Sequence, residues 1–304
     1  MDAAVNGALS VAVIGTGRMG AAMAGRLRGA GAEVVVHNRS RPKAEKVAAD
    51  TGATVADTAR EAAAAAPVVL VSLADDQACT TTYDGADGIA AGVGPGTVVA
   101  EMSTIDPQTV DRLGALIDER GAGLLDAPVS GSVPVVERGE LTVMAGGAAT
   151  DLASVRPVLD VLARNIFHVG GRGAGSTMKL AVNGIVHALN QSLAEALVLA
   201  EKAGVDRAAA YEVFANSAAA APFVLYKRAA FERPDETPVA FSLDLVAKDY
   251  DLILALADRV GVAVDQAAAG RRTVGAAIDA GLGDQDMSAL AEFLRRGPRP
   301  PGDY

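Results

Sequence analysis

An α/β domain built on a mostly parallel sheet, followed by an all-helical domain, is the fold class that the sequence predicts. Two observations carry it. From Ser10 to about Val169, β-branched runs alternate with Ala-rich amphipathic segments of helix length, the signature of successive β-α-β units. After "HVGGRGAG" the alternation stops: Ser176 to Ala203 reads as one long helix, and the remainder carries helical patterns with no convincing strand. The expected organisation is an α/β domain over 1–171, an all-α domain over 172–297, a long interdomain helix joining them, and a frayed tail over 298–304.

The strand candidates, in order, are "SVAVIG", "EVVVHN", "VVLVSL", "TVVAEM", "GLLDAP", "LTVMAG" and "NIFHVG". Each is short, rich in Val or other apolar residues, and separated from the next by a helix-length segment, which calls for crossover connections and parallel pairing. Ala-rich stretches such as "EAAAAAP" read as helix formers. "FERPDETP", residues 231 to 238, reads as a polar loop between helices.

Composition narrows the function classes. Of 304 residues, 50% are hydrophobic and 21% charged, enough for a large core in two domains. The net charge of −10 opposes binding to phosphate backbones or anionic bilayers, so neither nucleic acid nor membrane is an expected partner. A single cysteine, Cys79, leaves no internal disulfide or cysteine-clustered metal site; it reads as a small buried residue and fits a reducing cytoplasm. The N-terminal "MDAAVNGALS" has no basic region, and no apolar stretch has the length of a membrane span.

The first motif with chemistry is "VAVIGTGRMGAAMAGRL". Gly15 permits the tight turn after the strand, Gly17 lets backbone approach a pyrophosphate, and Gly20 permits close helix and strand packing. Thr16, Arg18 and Met19 complete the loop, and the helix start offers unpaired N–H groups to phosphate. In its strand, turn and helix context the motif predicts dinucleotide binding on a Rossmann-type, doubly wound sheet. About 20 residues further on, an NAD site usually has an acidic side chain for the ribose 2′-hydroxyl. Here the strand ends in Asn38, Arg39 and Ser40, with Arg41 and Lys43 behind, a cationic set that suits a 2′-phosphate. NADP(H) is therefore expected over NAD(H). Solvated charges at a helix start would be the plain alternative, although they would oppose the macrodipole.

The second motif is "STMKLAVN", which puts Lys179 among apolar neighbours and Asn183 one turn on, about 5–6 Å away on the same face of a helix. Taken alone, it suits a lysine whose stem packs while its ammonium reaches water.

Four blocks together resemble the β-hydroxyacid dehydrogenase family, which includes 3-hydroxyisobutyrate dehydrogenase and the glyoxylate and succinic semialdehyde reductases. They are "GTGRMGAAMAGRL", "STIDP" at 103–107, "DAPVSGS" at 126–132 and "GAGSTMKLAVN" at 173–183. The resemblance implies that Lys179 is the general acid or base and that Asn183 bonds the substrate or Lys179. A mostly apolar setting disfavours the ammonium, which suits a group that must give up and take back a proton. It further implies that Ser130, Gly131 and Ser132 anchor a substrate carboxylate. In "FSLDLVAKDYDL", Phe241, Lys248 and Asp249 would reach the substrate, with Lys248 also near the cofactor, and Leu73 and Thr104 would line the nicotinamide pocket at strand ends. Substrate would enter between the domains. Ser132 stands where many relatives have a second glycine, which leans toward the glyoxylate and succinic semialdehyde reductase branch. Gly184 replaces a frequent second asparagine, and Tyr250 a usual leucine. His187, a further turn along the Lys179 face, reads as a packed histidine.

The expected activity is interconversion of a short β- or ω-hydroxy acid with its semialdehyde or oxo acid, with a small carboxylate-bearing substrate and no required metal. An imine reductase on the same scaffold is the nearest alternative, though such enzymes generally lack the family lysine. A non-catalytic NADP-binding module is the other. A homodimer or homotetramer is implied by the resemblance.

Overall fold

A computed structural model describes residues 9–297; the expected tail at 298–304 and most of "MDAAVNGALS" lie outside the described residues. The chain divides into two compact units, one up to Lys179 and one from Leu180 on. The first holds strands β1 (Ser10–Ile14), β2 (Glu33–His37), β3 (Thr54–Val55), β4 (Val68–Val71), β5 (Val98–Glu101), β6 (Gly123–Asp126), β7 (Val129–Ser130), β8 (Leu141–Gly146) and β9 (Ala163–Gly170). Between them lie α1 (Arg18–Gly29), α2 (Arg41–Thr51), α3 (Ala59–Ala64), α4 (Asp76–Tyr83), α5 (Ile89–Gly92), α6 (Pro107–Asp118), α7 (Val133–Glu137) and α8 (Ala149–Leu162). The sheet runs β3-β2-β1-β4-β5-β6-β8-β7, with β9 also paired to β8. Pairings from β3 through β6 are parallel, as is β8 with β9, while β8 runs antiparallel to β6 and β7.

All seven strand candidates form strands. β3 and β7 were not anticipated, because two residues are too few to show a period. Alternation along each central strand feeds two cores, as a sheet covered on both faces requires. Val11, Val13, Leu70 and Ala100 pack with Met23 and Leu27 of α1 and Leu159 of α8 on one face. Ala12, Ile14, Val69 and Val71 pack with Tyr83, Leu113 and Ile117 on the other.

Helix α9 (Ala174–Lys202) spans the stretch read as the long helix, and the division between units falls inside it at Lys179, because its first turn packs on the sheet. The second unit adds α10 (Arg207–Ala215), α11 (Pro222–Glu232), α12 (Leu243–Val260), α13 (Asp265–Ala277) and α14 (Ala289–Arg296). Its core gathers Leu193, Leu197, Tyr211, Phe231, Val246 and Leu290. Among the described residues beyond α9 the only β pairing is an isolated bridge between Ser242 and Asp286. No helix of the described residues is long and apolar enough to cross a membrane.

Two buried carboxylates sit side by side at the sheet's carboxyl edge, since Glu101 of β5 is in register with Asp126 of β6. Burial pushes Glu101 up to about 7 and Asp126 up to about 6, against hydrogen bonds that favour their charged forms. Folded values above the unfolded ones mean that the contribution of these two groups to stability is greatest at low pH and is lost as pH rises through about 6 to 7. Urea unfolding should show the native protein less stable at pH 8 than at pH 5, and Glu101→Gln should remove roughly 2–3 kcal/mol of that difference. Identical pH slopes in the two proteins would contradict this assignment.

Candidate active site

The glycine loop is shaped by backbone collisions. Gly15 has φ +95°, donates its N–H to the His37 carbonyl at 2.9 Å, and lies so close to Ser72 that a Cβ would strike that carbonyl. A Cβ on Gly20 would strike the Gly15 carbonyl. Gly17 differs: apart from its own chain neighbours, no atom of the described residues lies within 4 Å of where its Cβ would stand. Its requirement is therefore not internal packing, and the open space above it fits a pyrophosphate drawn against backbone. Gly17 caps α1 with no side-chain hydrogen bond, no acidic residue occupies the first turn, and Arg18 is exposed beside it. Free N–H groups and the positive end of a helix dipole are what an anion needs. Met19 is half-buried against the sheet core.

Asn38 braces this loop. Its Oδ1 accepts from the Thr16 N–H at 3.1 Å and its Nδ2 donates to the Ser40 carbonyl at 3.1 Å. Arg39, Ser40 and Lys43 are exposed. Arg41 is committed to Glu45 at 2.8 Å and to Asp57, whereas Arg39 and Lys43 have no carboxylate partner among the described residues.

Gly15, Leu73 and Thr104 follow the carboxyl ends of the neighbouring strands β1, β4 and β5, where open α/β sheets bind ligands. Leu73 donates its N–H to Ser103 Oγ at 2.8 Å, and Glu101 accepts from the Ser103 N–H and the Tyr83 hydroxyl, both at 2.9 Å. Cys79 is buried with its thiol at 3.6 Å from Ser103 Oγ, and burial pushes that thiol up, so it packs as an inert residue. Ser130 ends β7, and Gly131 has φ +145°, with Leu141 and Val135 at 2.7 and 2.9 Å from its absent Cβ. Only glycine meets both demands; Ser130 and Ser132 flank it half-buried.

At the same edge, Asp126 holds the start of α9. Its Oδ2 accepts from the Ser176 N–H at 2.8 Å and its Oδ1 from the Ser176 hydroxyl at 2.7 Å. Half-buried Lys179 follows within one turn of this anchor. Sequence reading gave Asp126 no role, since its partner lies 50 residues away.

In the helical unit, Asn183, His187, Phe241, Lys248 and Asp249 converge. Asp249 is 0% exposed, with Oδ2 accepting from Asn183 Nδ2 at 2.6 Å and lying 3.1 Å from His187 Nε2, and Oδ1 lying 3.1 Å from the Lys248 ammonium. The His187 ring stacks on Phe241 at 5.9 Å and tilts against Tyr250 at 5.3 Å. His187 is packed, as expected, yet it is also hydrogen-bonded to a carboxylate that sequence reading had pointed at substrate.

The glycines separate folding from binding. Gly20→Ala should lower stability by about 2–4 kcal/mol in urea unfolding, in the range of overpacking and strain. Gly17→Ala should unfold like the native protein and bind a nicotinamide dinucleotide at least tenfold more weakly by fluorescence titration. Equal affinity in Gly17→Ala would contradict the loop's role.

Comparisons with known proteins match both units. Residues 10–170 match the family model described as the NAD binding domain of 6-phosphogluconate dehydrogenase. Residues 173–294 match the one described as the NAD-binding of NADP-dependent 3-hydroxyisobutyrate dehydrogenase. Glyoxylate/succinic semialdehyde reductase 2 of Arabidopsis thaliana is 32% identical over 289 residues, covering 95% of this chain and 80% of the relative. The 3-hydroxyisobutyrate dehydrogenase of Pseudomonas aeruginosa is 39% identical over 207 residues, 68% of this chain and 69% of the relative. The solved structure of Mycobacterium tuberculosis 3-hydroxyisobutyrate dehydrogenase with L-serine is 30% identical with a TM-score of 0.82, covering 95% of this chain and all of that one. Family models over both units, and a relative 32% identical across 95% of this chain, show that the chain belongs to the β-hydroxyacid dehydrogenase family of NAD(P)-dependent oxidoreductases.

Proposed function

We propose that this protein is an NADP-dependent reductase that interconverts a short β-hydroxy or ω-hydroxy carboxylic acid with its semialdehyde or oxo acid. The observation that carries the reading is the placement of Lys179 on a helix start clamped to the carboxyl edge of the dinucleotide-binding sheet. A nicotinamide dinucleotide supplies the hydride; Lys179 donates a proton to the nascent alkoxide oxygen and takes it back in the oxidative direction. Asn183, with Nδ2 committed to Asp249, has its Oδ1 left to accept from the Lys179 ammonium or a substrate hydroxyl. Ser130, Gly131 and Ser132 bind the substrate carboxylate through hydroxyl and backbone N–H groups, and Phe241 covers the apolar part of the substrate. For Lys248 the family resemblance alone supports a role toward substrate and cofactor.

Gly15 to Gly20 would hold the pyrophosphate, Leu73 and Thr104 would flank the nicotinamide, and Arg39 with Ser40 and Lys43 would take the 2′-phosphate. Preference for NADP(H) is supported by Arg39 and Lys43, which have no carboxylate partner among the described residues, at a position where Asn38 supplies no carboxylate. Semialdehyde chemistry is supported by the named activity of the Arabidopsis relative and by Ser132. Ile185 and Leu199 on α9, with Val213 and Leu225, leave apolar side chains on the helical unit's surface, which supports association into a homodimer or homotetramer. We place the protein in the cytoplasm.

The test is a panel of glyoxylate and the succinic, methylmalonate and tartronate semialdehydes with NADPH or NADH, followed by absorbance. Native protein should consume NADPH faster than NADH, Lys179→Ala should lose at least a hundredfold in kcat, and Arg39→Ala should raise KM for NADPH while leaving NADH unchanged. Lys179→Ala as active as native protein would sink the mechanism, and an Arg39→Ala effect equal for both cofactors would sink the phosphate assignment.

A further inference from the structure

We infer that His187 is a positioning residue that acts through Asp249 to fix the orientation of the Asn183 amide. The inference rests on the reading of Lys179 and Asn183 as part of the reaction centre. Asp249 is wholly buried in the helical core, where a carboxyl group calls for polar partners at its oxygens. Lys248 neutralises Oδ1, and two groups share Oδ2: Asn183 Nδ2 at 2.6 Å and His187 Nε2 at 3.1 Å.

The imidazole's other nitrogen decides its state. His187 Nδ1 is buried with no hydrogen-bond partner among the described residues. An imidazolium would strand a buried N–H there, whereas the neutral Nε2–H tautomer leaves only a weak acceptor unmet. The tautomer is thus fixed as a donor to Asp249. Phe241 and Tyr250 hold the ring at 5.9 and 5.3 Å between centroids, so it does not swing away. Asp249 and Tyr250 lie beside the ring, and Lys248 pairs with the far oxygen of Asp249, all three on α12.

The consequence reaches Asn183. An amide can present either its oxygen or its nitrogen, and a side chain that rotates freely would offer Lys179 a donor half the time. With His187 steadying the carboxylate that receives Nδ2–H, the oxygen is the end left for an ammonium or hydroxyl. His187 and Asn183 lie four apart on α9, so one helix face carries both members of the device. Without His187, Oδ2 loses a donor and the carboxylate can turn within its pocket, taking the amide with it.

The experiment combines kinetics with a readout that needs no substrate. The protein has three histidines, so a long-range proton–nitrogen spectrum of native protein, with His187→Gln to identify the signal, reports the His187 tautomer directly. It should show protonated Nε2 and bare Nδ1. The Asn183 side-chain amide signals, identified with Asn183→Ser, should shift in His187→Ala and return toward native positions in His187→Gln, whose terminal amide restores a donor. Under the reductase assay, His187→Ala should lose roughly 10- to 100-fold in kcat with KM for NADPH unchanged, and His187→Gln should recover most of it. An Nδ1–H tautomer, an Asn183 amide indifferent to His187, or native kcat in His187→Ala would each overturn the inference. Native protein inactive on the whole panel would instead remove the proposed function, while the amide signals would still decide whether His187 orients Asn183.

Discussion

The carboxylate of Asp126 is the point on which the geometry of the candidate site depends. It sits fully buried at the last residue of β6 and receives the N–H and the hydroxyl of Ser176 at 2.8 and 2.7 Å, with the backbone N–H groups of Gly173 and Gly175 adding to the same cradle. A negative charge at a helix start satisfies donors that have no partner within the helix and aligns with the dipole. The approach is close enough to exclude side chains. A Cβ on Gly175 would stand 2.5 Å from the carbonyls of both Asp126 and Met144, and one on Gly146 would meet the Gly175 nitrogen at 2.8 Å. The first turn of α9 is therefore in backbone contact with the ends of β6 and β8, and Lys179 inherits its place from that contact.

The same strand edge concentrates the rest of the dinucleotide-binding unit's chemistry. Parallel strands end together, so the turns after β1, β4 and β5 meet there. Each turn is fixed by a different device: Gly15 by its positive φ, Leu73 by the hydroxyl of Ser103, and Ser103 by the buried Glu101. Asn38 adds a brace from β2 through the Thr16 N–H. Rigid scaffolding under the turns leaves the exposed groups at Gly17, Arg39 and Lys43 facing outward without internal obligations.

Much of the fold was legible because its signals are local. Val-rich runs such as "VVLV" announced strands, and the glycine spacing announced the loop after β1. β3 and β7 escaped notice at two residues each, and the boundary read between 171 and 172 follows the change in composition there, whereas the first turn of α9 still belongs with the sheet. Side-chain roles were legible mainly through resemblance. Lys179 looked like an ordinary packed lysine until the surrounding blocks were matched. Asp126 and Ser176 are 50 apart and Asn183 and Asp249 are 66 apart, and no periodicity connects them. Asp249 was pointed at substrate, yet its oxygens face Asn183, His187 and Lys248; that inward turn depends on a buried environment only tertiary packing creates.

The central claim is that the amine of Lys179 transfers the proton that accompanies hydride transfer. Chemical rescue of Lys179→Ala by small primary amines tests it most directly, with the best substrate of the native protein and saturating NADPH. The claim predicts that methylamine and ethylamine restore turnover in proportion to their concentration, that trimethylamine of larger bulk restores less, and that native protein is indifferent to all of them. Full dinucleotide affinity in the variant with no response to any amine would contradict it, because an intact site lacking only an amine should accept one from solution.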